Sequence, residues 1–317
     1  MKKVITVVAL AAYLLGLPFH AQAAQKELEG EISLSGAFAL YPMAVKWAEE
    51  FKKLHPKVKI DISGGGAGKG MTDVLSRVVD LGMVSRSIHP EEIKKGAIGF
   101  SVVKDAVVPT VNAGNPNLKD IKRVGLKKYV AFKIWSNQIK TWGEVLGTSS
   151  KVPVHVFTRS DACGAAETWA AWFGKKQEDL VGTAVFGDPG VASAVQKDKV
   201  AIGLNNIAYA YDQKTKRPYA GITIIPIDIN GNGKIDPEEN FYGNVNQLMR
   251  AIANNKYPSP PARELYLVSN GTPKKTAVIA FLKYVLSEGQ KYANQTGFVG
   301  LSKKTLQAEL AKLKKVE

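Results

Sequence analysis

The sequence predicts an α/β protein of two lobes, each a mainly parallel sheet flanked by helices, joined by a hinge. Three observations predict it. The first half repeats a strand–turn–helix rhythm, which implies parallel strands. Two proline-marked breaks, at Pro109 and at Tyr257-Pro258-Ser259-Pro260-Pro261, interrupt that rhythm and mark crossings between lobes. Small-residue turns fall at the carboxyl ends of strands, where open α/β sheets bind their ligands.

The chain opens on a secretory signal. Lys2 and Lys3 form its basic segment, Val4 to Leu17 are almost wholly apolar, and Ala21-Gln22-Ala23 fits a small-residue cleavage site. The apolar run is short for a membrane span and no stop-transfer pattern follows. The mature chain is therefore expected to begin near Ala24, in a bacterial periplasm or at a cell exterior. That leaves 317 − 23 = 294 residues, enough for two lobes with substantial cores. Removing Lys2 and Lys3 lowers the formal net charge from +15 to +13. The positive residues are spread along the chain instead of clustering with aromatics, so the balance suits anion attraction and argues against a nucleic-acid partner. Cys163 is the sole cysteine, which excludes an internal disulfide.

In chain order, Glu31 to Leu34 reads as a strand and Tyr41 to Leu54 as an amphipathic helix, with Pro42 acceptable in its first turn. Val58 to Ile62 is β-like, and the glycine loop Ser63 to Gly70 leads into a helix over Met71 to Val79. A short strand, Leu81 to Val84, ends at Ser85-Arg86-Ser87. Val102 to Val111 is a long β run, closed by Asn112-Ala113-Gly114-Asn115-Pro116, and is read as the crossing to the second lobe. That lobe is expected to carry strands near Val130 to Trp135, Val152 to Phe157, Val200 to Leu204 and Ile222 to Ile227. After the second break come Glu264 to Val268 and helical segments, the last with Leu306, Leu310 and Leu313 on one face. The division is residues 24–108 plus 258–317 for the first lobe and 109–257 for the second.

The most informative segment is Phe157-Thr158-Arg159-Ser160-Asp161-Ala162-Cys163-Gly164-Ala165-Ala166-Glu167-Thr168-Trp169. A strand ends in a fixed positive charge, a turn of small residues follows, and a helix opens. The first N–H groups of a helix lack internal partners, and the peptide dipoles leave that end partially positive. Small residues let an anion reach the main chain, and the guanidinium fork of Arg159 suits an oxyanion. Asp161 is its alternative partner. Cys163 is either a small buried hydrophobe or, with its thiol pKa lowered by the helix end and Arg159, a reactive thiol.

Several motifs in order carry a resemblance. They are Ser35-Gly36-Ala37-Phe38-Ala39-Leu40-Tyr41-Pro42 with Lys46-Trp47, the glycine loop Gly64 to Gly70, and Asp80-Leu81-Gly82 before Ser85. Ile134-Trp135-Ser136-Asn137-Gln138-Ile139-Lys140-Thr141-Trp142 and Arg159 to Ala165 complete the set. Through these, the whole mature chain resembles the periplasmic phosphate-binding proteins, class II substrate-binding proteins that serve phosphate ABC transporters. The resemblance implies two α/β lobes that close on one oxyanion, a monomer, a periplasmic location and docking on an ABC transporter permease. It implies ligand contacts at Phe38, Ala39, Ala67, Ser85, Arg159, Cys163, Gly164 and Ala165. Phe38, Ala67, Cys163 and Ala165 stand where the family commonly has hydroxyl residues, and Ser85 where many members have aspartate. Main-chain N–H groups survive such replacements and side-chain donors do not. A buried carboxylate accepts the proton of hydrogen phosphate and repels sulfate, whereas a serine hydroxyl donates or accepts and discriminates less sharply. Arg86 and Lys69 are expected to add positive charge near the cleft. Inorganic phosphate is the first expectation, and sulfate, arsenate or molybdate the second.

Asp228-Ile229-Asn230-Gly231-Asn232-Gly233-Lys234-Ile235-Asp236-Pro237-Glu238-Glu239 matches the twelve-residue calcium loop. Asp228, Asn230, Asn232 and Asp236 occupy its side-chain positions, Lys234 offers a carbonyl, and Glu239 closes the loop. A strand precedes it instead of a helix, so a structural Ca2+ is expected and not a switch; the alternative is an Asn/Gly-rich turn needing no metal. Among enzymes, a secreted calcium-stabilised hydrolase is the rival. His55, His89 and His155 are far apart without zinc-ligand spacing, and no nucleophile elbow or P-loop motif occurs. No catalytic residue is therefore assigned.

Overall fold

Nine strands form among residues 27–314, the part of the chain that the computed structural model describes. The expected signal segment, residues 1–23, lies outside the described residues. The strands are β1 (Gly30–Gly36), β2 (Val58–Gly64), β3 (Leu81–Val84), β4 (Ala97–Asn112), β5 (His155–Arg159), β6 (Thr183–Val185), β7 (Ala201–Asn206), β8 (Ile222–Ile224) and β9 (Ala262–Asn270). The helices are α1 (Tyr41–Leu54), α2 (Ala67–Leu75), α3 (Pro90–Lys94), α4 (Leu118–Val124), α5 (Lys128–Trp135) and α6 (Trp142–Leu146). They continue with α7 (Gly164–Trp172), α8 (Gly187–Lys197), α9 (Ile207–Ala210), α10 (Val245–Ala253), α11 (Thr276–Val285) and α12 (Lys303–Lys314). None of them is long and apolar enough to cross a membrane.

The strand order is β2-β1-β3-β9-β4-β7-β5-β6, with β8 also on β4. The expected parallel pairing holds in β2-β1-β3 and in β7-β5-β6. Between them, β9 and β4 run antiparallel to their neighbours. These two strands carry the chain between the halves; β4 keeps the direction of β3 and β9 opposes both.

Two apolar cores flank this middle. One gathers Ile32, Trp47, Phe51, Phe100 and Phe281, and the other Trp135, Trp142, Trp169, Tyr211 and Tyr257. Val102 and Val103 of β4 belong to the first core, and Ala106 to Val108 to the second. On β9 the change falls between Ala262 and Leu265. The cores thus meet inside both crossing strands.

Two elements differ from expectation. Val130 to Trp135, expected as a strand, lies in α5, whose buried Ala131, Ile134 and Trp135 follow helical spacing. The Trp135 ring meets Trp169 edge-on at 5.2 Å, so a β-rich composition yields to packing against α7. The helix expected from Met71 starts at Ala67, within the glycine loop. The glycines are helical there because strands press on them; a Cβ on Gly70 would lie 2.6 Å from the Met83 carbonyl oxygen.

Candidate functional site: an interlobe crevice

Four strand-to-helix turns meet in one crevice. After β1 the chain turns through Ala37 to Leu40 into α1, held by the Ala37 N–H on the Met83 carbonyl. After β2, Gly65 and Gly66 both donate to the Gly36 carbonyl and α2 opens. Ser85 follows β3, buried, and Arg159 ends β5 before α7. The two halves touch directly. The Gly68 N–H donates to the Ala162 carbonyl at 3.1 Å, and the Tyr209 hydroxyl to the Phe38 carbonyl at 3.1 Å.

Two glycines make this approach possible. Gly66 has φ +88°, and a Cβ there would lie 2.7 Å from Oδ2 of Asp161. A Cβ on Gly164 would lie 2.2 Å from the Ser85 carbonyl oxygen. Neither tolerates a side chain while the halves are closed.

No described residue accepts the N–H of Phe38, Ala39, Ala67, Gly164 or Ala165. Those of Ala67, Gly164 and Ala165 are first-turn donors at the positive ends of α2 and α7. Cys163 is the N-cap of α7, its sulfur accepting the Ala166 N–H at 3.3 Å. Burial pushes this thiol up to about 12, and Arg159 offsets only part of the shift, so the reactive-thiol expectation is corrected. Cys163 is a buried cap with no thiolate character.

Arg159 is 1 % exposed at its side chain and forms a fork with Asp161 through Nε (2.8 Å) and Nη2 (2.5 Å). Its Nη1 meets Asp188 at 2.5 Å. Burial opposes the charge, but Asp188 and Asp161 outweigh it and hold Arg159 protonated far above the ordinary guanidinium range. Three of its five N–H groups are used, which leaves two for a ligand. The Phe38 ring lies against it at 5.7 Å, and the exposed Phe186 stands edge-on to Phe38 at 5.8 Å.

The two other cations expected here are committed to carboxylates. Arg86 forms a bidentate pair with Glu92 and reaches Glu167 of α7 at 3.0 Å. Glu167 also meets Nε2 of His89 at 2.9 Å. Arg86 thus ties the two halves beside the crevice and places no unpaired charge in it. Lys69 pairs with Asp73, whose carboxylate also takes the Ser35 hydroxyl at 2.6 Å.

Sequence reasoning missed Asp188, Asn206, Asp105 and Arg263. Asp188 opens α8 inside Phe186-Gly187-Asp188-Pro189, a helix-start signal in its own right. Asp105 stands alone in the apolar run of β4, and a lone carboxylate in such a run is also a signal.

The Asp228 to Glu239 loop folds back on its own amides. Asp228 receives the N–H groups of Gly231 and Gly233, both at 2.7 Å. Glu239 receives those of Ile229, Asn230 and Asp236. Asn230 and Asn232 donate to Asp236, which Lys234 also pairs at 2.9 Å. Ile235 anchors the loop through its N–H on the Arg123 carbonyl. The donors are all oxygens, as calcium requires. The carboxylates rest on the loop's own amides, and among the described residues no three His, Cys, Asp or Glu converge as a metal-holding group.

A family model described as a PBP superfamily domain matches residues 21–289. A phosphate-binding protein PstS of Methanocaldococcus jannaschii is similar, 26% identical over 344 residues that cover 89% of this chain and 86% of that protein. The protein SphX of Synechococcus elongatus is 26% identical over 301 residues, 92% of this chain and 82% of that one. Among solved structures, a substrate-binding protein from Clostridium perfringens with bound phosphate superposes with a TM-score of 0.71 at 22% identity, covering 86% of this chain and 100% of that one. An ABC-type phosphate transport receptor from Vibrio cholerae gives 0.62 at 18%, covering 86% and 100%.

Proposed function

Since the chain belongs to the PBP superfamily, we propose that it is an extracytoplasmic solute receptor that captures inorganic phosphate in the crevice and delivers it to an ABC transporter permease. One observation carries this reading. Five main-chain N–H groups without a partner among the described residues, and two uncommitted Arg159 donors, lie on or beside the turns that bring the two halves together. Such donors stabilise a desolvated oxyanion and contribute no acceptor that would demand a proton from it. The relatives named phosphate-binding proteins support phosphate as the ligand. Ser85, which can donate or accept, favours the second reading: another tetrahedral oxyanion such as sulfate, arsenate or molybdate.

Capture needs no chemistry. The two cores act as lobes, with the crossing segments of β4 and β9 as hinge, and an anion bridging the turns after β1, β2 and β5 favours the closed form. His155 meets Asp198 and His89 meets Glu167, and among the described residues no serine, threonine or cysteine bonds either ring, so the hydrolase reading gains no support. The receptor acts as a monomer in the periplasm, and a structural Ca2+ in the Asp228–Glu239 loop completes the second lobe.

Calorimetric titration of the mature protein with phosphate, sulfate, arsenate and molybdate tests the proposal. Phosphate binding is expected. Tight sulfate binding without phosphate binding would transfer the assignment to the second reading, and no heat with any anion would overturn both.

A further inference from the structure

Asp105 of β4 and Arg263 of β9 face each other across the strand pair, in register, where each strand leaves one core for the other. Their side chains are 1 % and 7 % exposed and their charges stand 3.6 Å apart. Neither oxygen of Asp105 has a hydrogen-bond partner of good geometry, although the Ala106 and Ile207 amides favour its charge, and neither Nε nor Nη1 of Arg263 has a partner. Ion pairs this deeply buried are costly when left unsatisfied, and a hinge is a poor place to keep one without a use.

The pair is wired to the crevice. Nη2 of Arg263 donates to Oδ1 of Asn206. The Asn206 amide and backbone N–H both donate to Oδ1 of Asp188, at 2.7 and 3.1 Å. Oδ2 of Asp188 holds Nη1 of Arg159. The charges of Asp188 and Arg159 both act on the buried Arg263 guanidinium, in opposite directions.

We propose that Arg263 is a specificity-determining second cation behind the crevice, selecting divalent over monovalent oxyanions, and that Asp105 exchanges its hold on Arg263 for a proton as such an anion arrives. The proposal rests on reading the crevice as an anion site. Two guanidiniums, Arg159 and Arg263, here face three carboxylates, Asp161, Asp188 and Asp105. With Asp105 ionised the cluster carries one excess negative charge, which opposes a dianion. With Asp105 protonated it is balanced, and Arg263 then acts on the anion. Ser85 offers no carboxylate for this exchange, so the adjustable charge falls to the hinge. Burial already pushes Asp105 up to about 7 against the pull of Arg263, so the proton moves near neutral pH. The other groups acting on Asp105 are Asp188 and the Ala106 and Ile207 amides, with Tyr209 and Tyr257 neutral in this range because burial raises both phenols.

Sulfate and perchlorate are tetrahedral ions that differ in charge, and neither carries a proton near neutrality. Titrating the mature protein with each, in two buffers of different ionisation enthalpy, yields both the affinity ratio and the protons taken up. The wild type is expected to prefer sulfate and to take up part of a proton with it. Arg263→Gln should lower the sulfate-to-perchlorate ratio about tenfold while Arg263→Lys retains it, since a removed charge acts on the dianion more than on the monoanion. Asp105→Asn should still bind sulfate but take up no proton. Because the ratio is read on a single variant, general destabilisation cancels. Where phosphate binds and sulfate does not, phosphate replaces it in the ratio at a fixed pH. An unchanged ratio in Arg263→Gln, or undiminished uptake in Asp105→Asn, overturns the proposal and leaves the receptor reading standing; no anion binding by the wild type overturns both.

Discussion

Asp105 shows how one residue sets a pH response. Its folded-state carboxyl titrates at about 7, against roughly 3.9 in an unfolded chain. The sign follows from the raised value. Protonated Asp105 is favoured by the fold, so its contribution is complete below about pH 4 and is lost as pH rises through about 7. The thermal midpoint is therefore expected to fall between pH 5 and 8, and Asp105→Asn to flatten that slope and melt a few degrees higher at pH 8. Melting curves across this range decide the matter: parallel slopes in the two proteins would remove the assignment. The residues that sequence reasoning did find, Arg159 and the small residues of α7, were legible because charge, turn and helix start are adjacent in the chain. Arg159's partner Asp188 and the Asp105–Arg263 pair were not, because only the strand order brings those positions together.

Among the elements, the Asp228–Glu239 loop carries the densest local motif in the sequence. What it holds depends on competition between calcium and the amides that its carboxylates now bind. Metal binding to the native loop alone stabilises by mass action. A chelator is expected to lower the thermal midpoint of purified protein by several degrees, and calcium to restore it; midpoints indifferent to both would leave the loop a metal-free turn. Elements defined by tertiary contact were harder to read. α5 was mistaken for a strand because Val130, Phe132, Ile134 and Trp135 favour extended structure, and only Trp169 decides which face they bury. The start of α2 was missed because its glycines serve close packing against β1 and β3 and not a loop conformation.

At the scale of the molecule, closure is held at several points and Glu167 serves two of them. It reaches across to Arg86 and His89, leaving the Arg86–Glu92 pair intact if it is removed. Glu167 is partly exposed, so the linkage contributes about 1 kcal/mol and not the full strength of a buried charged bond. Glu167→Ala is expected to weaken anion affinity about five- to tenfold and to enlarge the radius of gyration of the unliganded protein. Scattering and calorimetry on the same sample measure both; unaltered affinity would show that the tie does not bias closure.

A grip made of peptide N–H groups has no side chain to lose. Substitutions along the lining alter shape and selectivity while the donors themselves persist in whatever residue occupies the position, as at Ala67 and Ala165. Affinity in such a receptor is inherited through backbone conformation, and a lineage can trade one guest for another by drift in its walls without ever rebuilding the floor.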